Sequence, residues 1–267
     1  MNQGQISIIM AVYNCEDTLR ESIDSVLAQT YTNWHFVICD DCSTDGTLAV
    51  VKEYQEKYPD KFTVIQNEVN SKLSFSLNHC LEYADGEFVA RMDGDDYIAP
   101  DRFEKQVCFL KAHPDVDLVS TWMQVFNDAG ELGKVITYKE KPDKYDLRIG
   151  PCFAHATIMT YKRVYDALGG YTVSKRTVRS QDYDLWFRFF AEGFTGVNLQ
   201  EALYFVRENE NALSRRKVKV YFWAMVTRYK GFRLLKFPLK YYVYIFVPLL
   251  AMMKNNLKIL KVKMKRS

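Results

Sequence analysis

The stretch EFVARMDGDDYIAPDRF, residues 87–103, places three carboxylates, Asp93, Asp95 and Asp96, within four residues at the end of an apolar run. Like charges that close repel and raise one another's pKa, so a cation is needed beside them to keep them ionised. A solvated acidic turn ahead of a helix is the plainer alternative. Two more apolar runs end in polar pairs, Tyr13-Asn14 and Asp40-Asp41. The cysteines add little. Cys39-Asp40-Asp41-Cys42 has C-x-x-C spacing, but two acids between the thiols raise rather than lower their pKa. No second cysteine pair or histidine cluster completes a zinc site.

The elements that must position these groups follow from periodicity. Residues 6–12 (ISIIMAV), 34–40 (WHFVICD), 62–67 (FTVIQN) and 87–92 (EFVARM) are short runs of the kind found in strands buried on both faces. Between them lie helical patterns, the first with Leu19, Ile23, Val26 and Leu27 on one face, the second preceded by capping candidates Ser43, Thr44 and Asp45. Four strand–helix alternations predict an α/β fold: a mostly parallel central sheet with helices on both faces. Ligands on such sheets bind beyond the carboxyl ends of the strands, where all three polar clusters converge. After Pro100 the pattern loosens. A helix is predicted over 101–113, an extended segment over 117–127 with a turn at 128–130, a strand over 156–162, a helix closed by Gly169-Gly170, a helix over 182–193, and two strands, 195–199 and 202–207.

The chain has 267 residues, 48% of them hydrophobic, and a net charge of +3. That charge conceals an asymmetry. Residues 212–267 carry 15 Lys/Arg and no acid, leaving 21 basic and all 33 acidic residues to the rest. An acidic body therefore joins a basic tail, and such a tail points to a polyanion. The longest uncharged apolar run, residues 241–253, is too short to span a bilayer, which takes about 20 residues. It is expected to lie on a surface, followed by an amphipathic basic helix with Leu257, Leu260 and Met264 as its stripe. The N-terminus has no basic region or long apolar run of the signal-peptide kind, so the six cysteines are expected to be reduced thiols. There is no internal repeat.

Five segments in order, ISIIMAVYN, VICDDCSTDGT, EFVARMDGDDYIAPDRF, HATIMTYKRVYDALGGY and SQDYDLWFRFFAEG, resemble family-2 glycosyltransferases of the GT-A fold and cover residues 6–196. The resemblance implies a catalytic domain over 1–211, with a nucleotide-sugar-binding half (1–100) and an acceptor-binding half (101–211), and a helical tail over 212–267. It implies that the missing cation is Mn2+ or Mg2+, bound by Asp95 and bridging to the diphosphate of a UDP-sugar. Asp93 would contact the ribose or the metal's waters, and Asp96 would assist with the metal or the donor sugar. Ala11, Tyr13, Asn14 and Asp41 would hold the nucleotide, Tyr13 by stacking and Asp41 by accepting the uracil N3–H. Ala11 stands where the family often has Pro, Cys42 and Lys72 where it often has Gly. Asp182 matches the family's general base, with Gln181 in place of a Glu and Asp184 as competitor. Arg207 matches a family Arg that would help stabilise the leaving diphosphate, though Asn209 replaces a family His; His155 matches a family His on the acceptor side that would contact the diphosphate or the metal, and Arg91 would face the donor sugar. One base and in-line displacement imply inversion, an α-linked UDP-sugar giving a β-glycoside.

The tail looks like those of bacterial capsule and O-antigen glycosyltransferases. By that likeness the acceptor is a glycan on a polyprenyl diphosphate, the partner surface an anionic membrane, and the location the inner face of the bacterial plasma membrane. The donor would be UDP-glucose or UDP-galactose. Nucleic acid is disfavoured by the apolar run within the basic segment. Two alternatives stand beside this reading. A sugar-nucleotide nucleotidyltransferase would want a Gly-rich loop with a cation after the first strand, and AVYNCEDT lacks one. A non-catalytic UDP-binding membrane partner is the other.

Overall fold

A computed structural model of the chain describes residues 2–208 and 218–253. The predicted alternation is present: β1 (Asn2–Val12), α1 (Glu16–Leu27), β2 (Trp34–Asp40), α2 (Thr47–Lys57), β3 (Phe62–Gln66), α3 (Leu73–Glu82) and β4 (Gly86–Arg91). β3, β2, β1 and β4 lie side by side and parallel. Their continuous apolar character has a simple cause: alternate residues feed two different cores. Ile6, Ile8 and Met10 of β1, Phe36 and Ile38 of β2, and Phe88 and Ala90 of β4 pack into one cluster with α1 and α2. Ile9, Val37 and Val89, one residue out of phase, pack into the other with α3.

Beyond β4 the expectation of a mostly parallel sheet gives way to a mixed one. The chain continues through β5 (Tyr97–Ile98), α4 (Arg102–Ala112), β6 (Leu118–Phe126), β7 (Leu132–Ile136), β8 (Met159–Tyr161), α5 (Lys162–Leu168), α6 (Gln181–Ala191) and β9 (Gly196–Arg207). Short β8 runs antiparallel between β4 and β6, β6 pairs parallel with β9, and β5 closes the far edge antiparallel to β9. The two strands expected over 195–207 are one. Its register with β6 slips around Thr121–Met123, where Gln200 and Glu201 are exposed, and this irregularity interrupts the alternation. The strand expected over 156–162 begins late because His155–Thr157 form a 3-10 turn.

The basic segment is less separate from the body than its composition suggests. Its helix α7 (Val218–Leu234) lies on α6, with the Phe232 and Phe187 rings 5.9 Å apart. Gly231 permits the approach, since a Cβ there would sit 2.2 Å from the Phe187 ring. A 3-10 segment, Leu239–Phe246, then packs Tyr241 against Tyr145. No helix among the described residues is long and apolar enough to cross a membrane. Asn209 and the stripe of Leu257, Leu260 and Met264 lie outside the described residues.

Candidate active site

A cavity of about 420 Å3 opens at the carboxyl ends of β1 and β4. Ala11, Tyr13, Asn14, Asp93, Asp95 and Arg207 line it, so six of the expected site residues meet in one place. Glu16, Asp17 and Asp45 add further carboxylates, against a single lining cation, Arg207. Two of these acids are occupied in shaping the wall: Glu16 accepts the Gly46 N–H at 2.8 Å and Asp45 the Thr47 N–H at 3.0 Å.

The three clustered carboxylates differ in their surroundings. Asp93 is gripped by both terminal nitrogens of Arg91, an ion pair with the guanidinium only 3% exposed. Arg91, expected to face the donor sugar, thus lies beneath the cavity and supplies part of the missing positive charge. Asp96, expected at the metal or sugar, is instead turned inward. It accepts the Tyr204 hydroxyl at 2.9 Å and the Arg207 N–H at 2.8 Å, and is 4% exposed. Asp95 lines the cavity beside Asp93, and its carboxylate's only hydrogen bond among the described residues comes from its own backbone. Burial, then the Asp93 charge, raise its pKa, and the same two causes with Asp95 itself raise that of Asp96 well above the carboxylate range. The cluster is short of positive charge.

The loop carrying these acids is held from three directions. Thr18 and Ser22, four residues apart on α1, donate to the carbonyls of Gly94 at 2.9 Å and Asp96 at 2.5 Å. Tyr204 of β9 accepts the Asp93 N–H at 3.1 Å while donating to Asp96. Arg102 of α4, fully buried, reaches the Arg91 carbonyl at 3.1 Å. None of these was singled out from sequence. The available signal was a hydroxyl stripe, Thr18, Ser22 and Ser25, beside the apolar stripe of α1.

Of the remaining predicted residues, Tyr13 and Asn14 line the cavity, while Asp41, His155 and Asp182 do not. Asn14, at φ +50°, binds the β2–α2 loop: its Oδ1 accepts the Thr44 N–H at 2.8 Å and its own N–H reaches Ser43. Tyr13 is half exposed at the rim. Asp41 accepts Asn67 Nδ2 and the Ser71 N–H on one oxygen, each at 2.8 Å, and the Lys72 N–H at 2.9 Å on the other. A carboxylate has about four lone-pair positions, so one remains. His155 is hydrogen-bonded through Nε2 to the Tyr171 hydroxyl at 2.9 Å. Burial and the Arg91 charge push its pKa well down, so the ring is neutral. Asp182 sits half-buried in the first turn of α6, where its charge raises the pKa of the Tyr138 and Tyr183 hydroxyls after burial has done so. Its competitor Asp184 is bound by Thr172, Arg176 and Arg188.

A divalent metal fits this donor set in one specific sense. No group of three or more His, Cys, Asp or Glu side chains among the described residues forms a metal cage. Mg2+ and Mn2+ bind through one or two carboxylates together with substrate phosphates and water, and Asp95 offers such a carboxylate.

The family model described as Glycosyl transferase family 2 matches residues 7–169, which include the cavity's strands and its acidic loop. The chain belongs to that family. It is a glycosyltransferase. It is 47% identical over 251 residues to a Bacillus subtilis (strain 168) protein provisionally named glycosyltransferase EpsE, covering 94% of this chain and 90% of that one. It is 26% identical over 216 residues to the Escherichia coli UDP-Glc:alpha-D-GlcNAc-diphosphoundecaprenol beta-1,3-glucosyltransferase WfaP, covering 80% and 81%. Residues 1–349 of S. aureus TarS, crystallised with UDP-GlcNAc, share the fold with a TM-score of 0.70 at 20% identity. That match covers 85% of this chain and 66% of the TarS fragment.

Proposed function

We propose that this glycosyltransferase moves a hexose, glucose or galactose, from a UDP-sugar to a glycan carried on a polyprenyl diphosphate, with inversion, in the synthesis of a bacterial surface polysaccharide. The observation that carries the donor half is the acidic cavity, where Asp17, Asp93 and Asp95 face a single lining cation, Arg207. A diphosphate entering it would be repelled by the surrounding acids unless a cation came too. A divalent ion on Asp95 would supply the charge that stabilises the departing nucleotide. The chain's own residues would do the rest. Tyr13, exposed at the rim, would stack on the base, and Asp41, with one lone pair left, would accept the uracil N3–H. Arg91 pairs with Asp93 and fixes that carboxylate beside the proposed sugar site. Arg207, anchored on the Asp95 carbonyl at 3.0 Å and paired with Glu21 and Asp128, keeps one guanidinium on the cavity wall.

Asp182 is proposed to take the proton of the attacking hydroxyl. Asp184 is already committed to two arginines, which leaves Asp182 as the acid of this helix turn for that role. A single base and in-line attack yield a β-glycoside from an α-linked donor. The polyprenyl-diphosphate acceptor is supported by the relative WfaP, whose name specifies such a substrate. The proposed division stays as read from the sequence, 1–211 catalytic and 212–267 attaching the protein to the inner face of the plasma membrane. In support, the described part of that segment exposes Leu239, Val243, Phe246, Leu250 and Met253.

The test is a screen of UDP-sugars for acceptor-free hydrolysis and for transfer to a lipid-diphosphate-linked sugar, with Mn2+, Mg2+ or chelator. Transfer that needs the metal and is lost in both Asp95→Asn and Asp182→Asn is expected. Full activity in either variant removes that residue from its role.

A further inference from the structure

A second cavity, about 500 Å3, lies between the segments 71–74 and 173–181, the latter leading directly into Asp182. Three cations line it, Lys72, Lys175 and Arg179, together with apolar Leu73, Val173 and Val178. Among the described residues none of the three cations takes part in an ion pair, whereas the nearby Arg176 does. Lys72 reaches only the neutral Asn70 side chain.

Two of these cations sit on backbone that disfavours any side chain. Lys72 has φ +74° and ψ 163°, and Arg179 has φ +71°. The first lies in a region nearly reserved for glycine. Each precedes or caps a helix, and the turn explains the positive φ. It does not explain a long cationic side chain where glycine would be unstrained. The strain persists because neighbours fix the backbone. The Lys72 N–H is held by Asp41 at 2.9 Å, and its carbonyl accepts from the Phe75 and Ser76 N–H groups. The opposite wall is equally built. Thr177, fully buried, donates to the carbonyls of Thr172 and Ser174, and Thr227 of α7 donates to the Arg176 carbonyl at 3.0 Å. Cations are therefore presented by a rigid frame, beside exposed valines, at the approach to the proposed base.

We propose that this cavity binds the anionic head of an amphiphilic acceptor: a diphosphate against Lys72, Lys175 and Arg179, with the first carbons of its hydrocarbon chain along Leu73, Val173 and Val178. This rests on the acceptor class proposed above and assigns it a site adjoining that of the nucleotide, since Asp41 accepts the Ser71 and Lys72 N–H groups. Cations and apolar walls together select a diphosphate joined to a hydrocarbon over either part alone.

The test uses the full chain saturated with UDP and Mn2+, titrated with farnesyl diphosphate, inorganic pyrophosphate or farnesol by calorimetry. Lys72→Gly and Arg179→Gly remove charge where glycine suits the backbone, so folding is preserved; Lys175→Ala completes the set. The triple variant is expected to bind farnesyl diphosphate at least tenfold more weakly, to lose pyrophosphate in parallel, and to keep its affinity for UDP. Farnesol binding, including any to the apolar tail, should not change. Unchanged farnesyl diphosphate affinity, competition between UDP and farnesyl diphosphate, or a parallel loss of UDP binding would each overturn the assignment. The function reading is tested apart from it. Binding here without transfer to a lipid-linked sugar leaves the site and removes the function. Transfer that is indifferent to all three cations does the reverse.

Discussion

The hydroxyl of Tyr204 stands 2.9 Å from the Asp96 carboxylate and 3.1 Å from the Asp93 N–H, donating to one and accepting from the other. One buried oxygen thus spans the acidic loop. It turns Asp96 inward, away from the cavity that Asp93 and Asp95 line.

Tyr204→Phe removes that oxygen and leaves a buried acid and a buried N–H each short of a partner. A loss of about 1–3 kcal/mol is expected, read as a fall in the denaturation midpoint. Ser22→Ala acts on the same loop through the Asp96 carbonyl. The two changes should therefore be non-additive by roughly 0.5 kcal/mol or more in a double-mutant cycle. Strict additivity would mean that the hydroxyls do not hold one loop together.

Asp182→Asn and Asp184→Asn separate catalysis from stability. The first should abolish transfer. The second should cost roughly 2–4 kcal/mol, because Arg176 and Arg188 lose their partner. Burial would raise the Asp184 pKa, but hydrogen bonds from Thr172 and Arg176 and the two arginine charges outweigh it, and the net shift is downward. A carboxyl with a lowered folded pKa contributes stability that is complete above its unfolded value, about 4, and is lost as pH falls through the folded value. The gap in stability between the wild type and Asp184→Asn should be constant from neutral pH to about 5 and shrink in stronger acid. A gap that widens on acidification would reverse the sign argued here.

Leu239, Val243, Phe246, Leu250 and Met253 recur every three or four residues and are all exposed, while Tyr241 and Ile245 pack on the body. Val243→Glu with Phe246→Glu should leave the fold intact and release the protein from vesicles containing anionic lipid. Salt should do the same, since each basic residue near such a surface contributes about 1 kcal/mol of screened attraction. Co-sedimentation with anionic and neutral vesicles checks both; wild-type binding that ignores lipid charge would refute the electrostatic part.

Gly231→Ala places a methyl group on the Phe187 ring. The expected cost is about 1–3 kcal/mol, with α7 loosened from α6 and faster proteolysis after residue 217. Unchanged proteolysis would show that this close packing does not hold the segment.

The parallel half of the sheet was legible because burial on both faces writes an apolar run of fixed length, and each run here is bounded by a helix pattern. The meeting of Tyr13, Asp93 and Asp95 followed, since parallel strands deliver their carboxyl ends to one rim. β9 was misread as two strands because its irregularity places polar Gln200 and Glu201 in the middle of the pattern. Arg91 and Asp96 were assigned to the ligand by the family resemblance. Nothing local shows that a carboxylate has a partner elsewhere.

What the sequence by itself determined is the alternation of elements, the acidic rim and the basic segment, all of which are periodic or compositional and so are written along the chain. Only tertiary structure decided which acid is open, which is paired and which is buried. The burial of Asp96 depends on partners far away in the chain: Ser22 and Tyr204 reach it across separations of 74 and 108 residues. A hydrogen bond is set by distance and angle in space, and neither is encoded in the spacing of the residues that make it.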